Sequence, residues 1–362
     1  MALELYWYDF VCVGLVAVAF VGSLWVIWRK EGGARADDNK LFESLLVGSA
    51  AKPVGHVDSS WLWSSCWRGM HPGWLLTLRV SSLAVLAGFL AWDIVEWDAT
   101  IFIYYTEWTF ALVMIYFGLG IILSAYGCWI HATTPTSRIG SVDDFLKRDL
   151  EDTTYTSINT YSDTNFRSTK LRSQYTEEDI LQRAGFWGYM MQMAYQTSAG
   201  AVILTDVVFW CVIVPFLSNA RLGLSLLMGC MHTLNAVFLL IDTSVNSLPF
   251  PWFRLSYFVL WSCLYVIFQW VIHACGFSWW PYPFLELSSP WCSLWYFAVA
   301  VMHIPCYGIY ALIIKAKNSV FSRLFPNAAL KSYRSTHANC LGCHYLQASA
   351  RNKDVEAISV TD

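Results

Sequence analysis

The sequence predicts an all-α membrane protein: a polytopic bundle of about seven transmembrane helices, with its N-terminus outside and its C-terminus in the cytosol. Three observations support this fold class. Of the 362 residues, 56% are hydrophobic and only 14% are charged, whereas a typical soluble domain carries about 25% charged residues. Apolar runs long enough to cross a bilayer recur along the chain. The basic residues fall almost wholly on one side of these runs.

Each predicted span is an apolar run of about 20 residues or more, which is the length that a helix needs to cross the hydrocarbon core. The spans are 5–28, 74–95, 101–130, 186–217, 223–244, 255–276 and 294–314. The first run is too long for the core of a signal peptide and has acidic residues where a basic region belongs, so we expect an uncleaved helix. The fourth run is long enough to tilt, and Pro215 lies near its end.

The orientation follows from the distribution of positive charge. All but one of the 23 Lys and Arg residues lie in the segments after spans one, three, five and seven or, for Arg79, near the start of span two. The exception is Arg221. Because basic loops stay in the cytosol, an odd number of spans with the N-terminus outside satisfies this pattern. We expect Arg79 to snorkel towards the interface.

This topology divides the chain into four parts. An additional N-terminal transmembrane helix at 1–30 precedes a cytosolic segment at 31–73, a six-span core at 74–314 and a cytosolic tail at 315–362. A polar cytosolic loop at 131–183, poor in apolar residues and expected to be largely disordered, interrupts the core. The 11 cysteines lie mostly inside apolar runs, which is typical of buried hydrophobic residues rather than of a disulfide framework.

Polar side chains at membrane depth are the candidates for function, because hydrocarbon disfavours them unless they are paired or active. The topology places Thr106, His232 and His273 in the extracytoplasmic half of the membrane, near the loop that follows span six. Asp206 and Asp242 are expected to lie deeper, nearer the inner half.

Each of these groups also has a structural explanation. A threonine in a span usually bonds to carbonyls of its own helix or packs against a neighbour. His232 could equally be an interhelical hydrogen-bond anchor, and His273 a solvated residue at the interface. Asp206 and Asp242 could be protonated and hydrogen-bonded to neighbouring helices, and Glu286 is most simply a loop carboxylate.

The functional alternative is a nucleophile with its base. A threonine hydroxyl is a weak nucleophile until a base removes its proton, and a neutral imidazole can do so near neutral pH. In a dry site His232 is expected to remain neutral and so to serve as that base. Thr106 and His232 would then suit acyl transfer with a lipid ester that enters sideways from the bilayer. Asn235, one turn from His232, is a candidate oxyanion donor by position alone.

Several short motifs resemble the androgen-induced (FAR-17a) family of membrane proteins. They are Tyr104-Tyr105-Thr106, Met231-His232-Thr233 with the run to Ile241-Asp242, Trp270-Val271-Ile272-His273, and Tyr282-Pro283-Phe284-Leu285-Glu286. The resemblance covers roughly 74–314. It implies a six-span core with both ends cytosolic, to which the first span here is an addition.

The resemblance also implies an activity. Members of that family are threonine hydrolases of fatty acid esters of hydroxy fatty acids, and the positions of their nucleophile and base correspond here to Thr106 and His232. The expected binding residues are His273, Asn235, Tyr282, Glu286 and Asp242. Tyr105 and Glu107 depart from the apolar residues that the family has at these positions. No cofactor or metal is expected, and the expected partners are the bilayer and a lipid ester, not nucleic acid.

The sequence leaves two other interpretations open. A non-enzymatic membrane protein acting through protein contacts is suggested by a similar architecture in the rolling stone proteins, which are linked to muscle-cell fusion.

A haem oxidoreductase using His232, His273 and His303 is disfavoured, because no span carries a second histidine for a stacked pair. The Cys340-Leu341-Gly342-Cys343-His344 segment matches a c-type haem attachment motif, but it lies in a tail that is predicted to be cytosolic. Either the endoplasmic reticulum or the plasma membrane fits the sequence.

Overall fold

The computed structural model describes residues 6–32, 57–133, 184–217 and 226–325, and it confirms the predicted fold class. This part of the chain contains seven helices that are long and apolar enough to cross a membrane. They are α1 Trp7–Ile27, α2 Pro72–Trp97, α3 Tyr105–Thr133, α4 Phe186–Val208, α5 Leu226–Val245, α6 Leu255–Ala274 and α7 Cys292–Leu324. The protein is therefore a multi-pass membrane protein with an all-helical bundle.

Successive helices alternate in direction, so the bundle has two distinct ends. Cys12 of α1 meets Cys292 of α7 at one end, and Arg79 at the start of α2 meets Asp242 near the end of α5 at the other. The N-terminal ends of α1, α3, α5 and α7 lie at one end, which we call the basic-poor face because the connections predicted there contain almost no Lys or Arg. The opposite end is the basic-rich face. Most of the predicted loop at 131–183, part of the segment at 31–73 and the Cys340–His344 motif lie outside the described residues.

The largest difference from the predicted boundaries is at α7, which continues to Leu324, about ten residues past the predicted end of the last span. Lys317 shows why the helix continues. Its ammonium group donates to the carbonyl oxygens of Thr243 and Asn246, each at 2.8 Å. The start of the predicted cytosolic tail therefore packs against the end of α5.

The central helix is α4, which contacts α3, α5, α6 and α7. Small residues on its buried surface, Ala199, Gly200 and Ala201 among them, permit the close approach that transmembrane helices use in place of a hydrophobic driving force. At Gly200 a Cβ atom would collide with the ring of Phe258 on α6. Past Val208 the helix widens into a π-helical segment, Phe209–Leu217, which contains Pro215.

A buried ion pair lies towards the basic-rich face, and it shows that the prediction of a snorkelling Arg79 is wrong. Arg79 is fully buried, and its Nε donates to Asp242 Oδ1 at 3.0 Å. Its Nη1 donates to the carbonyl oxygens of Leu62 and Gly120 and, at 2.6 Å, to Ser124 Oγ. Asp242 and these oxygens replace water at Nε and Nη1, whereas Nη2 has no partner among the described residues. The guanidinium group is therefore held inside the bundle and does not reach the interface.

The additional helix α1 lies at the edge of the bundle, against α6 and α7. Its other side exposes large apolar residues, including Trp7, Phe10 and Val18, as expected of a surface that faces lipid. The buried contact with α7 includes a thiol pair, in which Cys12 Sγ lies 3.5 Å from Cys292 Sγ.

We expect copper-phenanthroline oxidation of the membrane-embedded protein to link α1 to α7 through Cys12 and Cys292. The two sulfur atoms need to approach only from 3.5 Å to the disulfide length of about 2.0 Å. Mass spectrometry of non-reduced peptides measures the pairing, and Cys12→Ser serves as the control. Pairing of Cys12 with any other cysteine would contradict the packing of α1.

Candidate functional site

A cavity lies among α3, α4, α5, α6 and α7, in the half of the bundle nearer the basic-poor face. It encloses about 570 Å³ of empty space, a figure that includes its open mouth. The surface that faces the cavity is largely apolar, and Leu204, Val266 and Val299 contribute to it. The polar side chains with a hydroxyl or imidazole on its lining are Tyr105, Thr106, Thr205, His232, Ser262, Tyr265, Tyr282 and His303.

Thr106 is the second residue of α3 and is 6% exposed. The loop residue Tyr282 holds this helix start in place, because the backbone N–H of Tyr105 donates to Tyr282 Oη at 3.2 Å. The Thr106 hydroxyl also lies beside the Tyr282 phenol. Burial raises the pKa of Tyr282 to about 12, and contacts with Thr106 and Tyr105 offset part of that shift. Tyr282 is therefore a neutral phenol at physiological pH and can donate a hydrogen bond.

His232 reaches the same cavity from the second turn of α5. Its ring is stacked on Phe209, with centroids 3.6 Å apart and planes 11° from parallel. Its Nδ1 is buried and makes no hydrogen bond to any described residue. The structure thus places Thr106 and His232 on the wall of one cavity, but no hydrogen bond joins them, because the Thr106 hydroxyl lies against Tyr282 and His232 Nδ1 has no partner among the described residues.

Among the predicted binding residues, Tyr282 lines the cavity, whereas His273 lies outside its lining. His273 Nδ1 lies 2.7 Å from the carbonyl oxygen of Gln269, and Nε2 lies 3.1 Å from that of Trp279. Its ring stacks on Trp280 at 3.6 Å. These contacts hold the end of α6 against the loop that carries Tyr282, so His273 positions the loop.

Asn235, Glu286 and Asp242 also lie away from the cavity lining. The Asn235 side chain is fully buried, and its Nδ2 has no partner among the described residues. Glu286 accepts a hydrogen bond from Ser288 in the loop. Asp242 accepts hydrogen bonds from Arg79, Tyr116 and Asn246. These three partners give the buried carboxylate a structural role.

The expectation that Asp206 lies deeper than the other polar groups, nearer the inner half of the membrane, is wrong. α4 runs towards the basic-poor face, and Asp206 lies two residues before its last residue, Val208, and directly after the cavity-lining residue Thr205. Its Oδ1 is buried without a partner among the described residues. The carboxyl group is therefore in the same half of the bundle as Thr106 and His232.

Sequence reasoning missed a second polar group in the cavity. Ser262 on α6 bonds to His303 Nε2 on α7 at 2.7 Å and to the Tyr105 hydroxyl at 2.8 Å. No local motif marks this arrangement, because the three residues belong to three helices and meet only when α3, α6 and α7 pack together. The sequence alone suggests only a haem-ligand role for His303.

Comparison of the chain with known protein families, with characterised proteins and with solved structures finds no match. Within the described ranges, no group of three or more His, Cys, Asp or Glu side chains is placed to hold a metal ion. The geometry of the cavity is therefore the main basis for a functional assignment.

Proposed function

We propose that this protein hydrolyses a lipid ester in the cavity, with Thr106 as the nucleophile and His232 as the base. The observation that carries the proposal is that both side chains, from α3 and α5, line one largely apolar cavity. An apolar site with a few convergent polar groups suits a substrate that has long hydrocarbon chains and one reactive ester. The motif resemblance around Thr106, His232 and Tyr282 supports fatty acid esters of hydroxy fatty acids as the substrate class.

In the first step the Thr106 oxygen attacks the ester carbonyl carbon while His232 accepts the hydroxyl proton. The alcohol leaves with that proton, and the acyl group remains on Thr106. Water then attacks the acyl-threonine with His232 again as the base, which releases the fatty acid and restores the threonine.

The start of α3 also supplies candidate groups to stabilise the oxyanion. The N–H groups in the first turn of a helix have no partner within the helix. Those of Tyr105 and Thr106 are already directed at Tyr282 Oη, which leaves the N–H of Glu107 as the backbone candidate in that turn. The neutral phenol of Tyr282 lies beside the Thr106 hydroxyl. Donors placed in this way stabilise the negative charge that develops on the carbonyl oxygen.

The test is hydrolysis of such an ester by the full chain in lipid nanodiscs. We expect Thr106→Ala and His232→Ala each to reduce kcat by about 10²–10⁴-fold, the range of a lost proton-transfer group. Thr109→Ala is the matched control, because Thr109 lies one turn further along α3, donates to the Tyr105 carbonyl at 3.1 Å and does not line the cavity. Undiminished turnover in both variants would overturn the assignment.

The membrane that houses the protein is proposed to be the endoplasmic reticulum or the plasma membrane, which subcellular fractionation distinguishes.

If the folded wild-type protein fails to hydrolyse any lipid ester, the enzyme proposal is wrong. The non-enzymatic alternative of a membrane protein that acts through protein contacts then takes its place.

A further inference from the structure

Ser262 and His303 form a hydroxyl–imidazole pair that is already in contact. The Ser262 oxygen lies 2.7 Å from His303 Nε2, and both side chains line the cavity. His303 is 4% exposed, and the Phe258 ring packs against it with centroids 4.4 Å apart. The ring is therefore fixed in the orientation that brings Nε2 to the serine.

The hydrogen-bond partners also decide where the protons lie. His303 Nδ1 is 2.8 Å from the carbonyl oxygen of Val299, which can only accept, so Nδ1 of the neutral imidazole carries the proton. Nε2 is then an acceptor, and the Ser262 hydroxyl must donate to it. The serine oxygen in turn accepts from the Tyr105 hydroxyl at 2.8 Å. This is the tautomer that a base needs in order to remove a serine proton.

A purely structural role explains less of this arrangement. A serine in a transmembrane helix commonly bonds to a carbonyl of its own helix or joins two helices by one hydrogen bond. Ser262 instead contacts side chains from two other helices, α3 and α7, and it does so at the cavity wall. A packing contact does not require access to a cavity or an unprotonated nitrogen that faces the hydroxyl.

We propose that Ser262, with His303 as its base, is a second nucleophile of this cavity. Its electrophile is a carbonyl or phosphonyl group carried on an apolar chain. The proposal rests on the proposed function only in naming a lipid ester as the natural electrophile. The reactivity of the serine follows from its own contacts.

The chemistry is a simple substitution. With an ester, the Ser262 oxygen bonds to the carbonyl carbon, and its proton moves to His303 Nε2. The bond from the carbonyl carbon to the alcohol oxygen breaks, and the leaving alcohol takes the proton from His303. With an alkyl fluorophosphonate, the serine oxygen bonds to phosphorus and fluoride leaves, while His303 passes its proton to water.

The experiment treats the full chain in nanodiscs with a long-chain alkyl fluorophosphonate and maps the adduct by peptide mass spectrometry. We expect an adduct on Ser262 in the wild type and in Thr106→Ala, and none on that peptide in Ser262→Ala. His303→Gln keeps a side chain that can accept a hydrogen bond but cannot take the proton, so labelling should slow by about 10²-fold or more. Mapping on the wild type needs no variant, so a folding defect in Ser262→Ala does not affect the result.

The outcomes separate the two proposals. An adduct on Thr106 alone, no adduct in a protein that hydrolyses esters, or equal labelling rates in wild type and His303→Gln would each overturn the role of Ser262. In those cases ester hydrolysis that depends on Thr106 can still stand. Labelling of Ser262 that requires His303, in a protein without ester hydrolysis, supports the reactive serine and overturns the proposed function.

Discussion

Asp242→Ala is expected to lower the free energy of unfolding by about 3–5 kcal/mol, the cost of leaving one partner of a buried ion pair uncompensated. Arg79 and Asp242 are both fully buried and lie 3.0 Å apart. The carboxylate also accepts hydrogen bonds from Tyr116 and Asn246, so its removal leaves three donors without their partner. Unfolding of the purified protein in mixed micelles, followed with increasing denaturing detergent, measures the loss.

The matched control is the double variant Arg79→Met with Asp242→Leu. Replacing both partners of a buried ion pair by apolar residues of similar size is often close to neutral, so the loss caused by the uncompensated guanidinium group should return. The unpaired Tyr116 and Asn246 donors should keep the double variant less stable than the wild type. If Asp242→Ala were as stable as the wild type, the Arg79 side chain would have to reach water at the interface. The buried pair described above would then be incorrect.

Val266→Trp is expected to reduce ester turnover by about 10²-fold or more while the bundle remains folded. Val266 lies one turn from Ser262 on α6 and lines the cavity, so the larger indole enters the space that the proposal gives to the substrate. A displacement of about 1 Å from the productive geometry is enough for an effect of this size. Initial rates in nanodiscs measure it.

Leu264→Trp is the control for this prediction. Leu264 is on the same helix, but its side chain is 46% exposed on the outside of the bundle, where an indole can lie against lipid. Turnover should be close to that of the wild type. Equal turnover in Val266→Trp and the wild type would show that the substrate does not occupy the cavity.

The sequence predicted the helical bundle well because the bilayer imposes a simple rule. Every apolar run of sufficient length must form a helix that satisfies its own backbone hydrogen bonds, so seven runs predict seven spans. The extension of α7 was missed because it depends on a tertiary contact. Lys317 belongs to a polar segment by composition, but its ammonium group bonds to two carbonyl groups near the end of α5.

Arg79 shows the same limit for side chains. A basic residue near the end of a span can reach water or can pair with a distant acid, and sequence position does not distinguish these outcomes. The structure pairs it with Asp242, 163 positions away. Asp242 had been considered for binding because a carboxyl group at membrane depth needs a partner, and the partner turned out to be this arginine.

The candidate site was predictable in part. Thr106 and His232 were chosen from a motif resemblance and from their depth in the membrane, and both line the cavity. His273 has a similar depth, but its ring faces the loop carbonyl of Trp279 instead. Depth does not determine which way a side chain faces. Ser262 carried no signal at all, because its partners Tyr105 and His303 lie on other helices.

The central claim, that a hydroxyl of the cavity takes up the acyl group of a lipid ester, is tested most directly by trapping the intermediate. The protein in nanodiscs is mixed with a fatty acid ester of a hydroxy fatty acid, quenched in acid within the first turnover and digested for mass spectrometry. The account predicts the acyl mass on the peptide that contains Thr106, and its absence in Thr106→Ala. Turnover without an acyl group on any cavity hydroxyl, and at the same rate in Thr106→Ala, would contradict it.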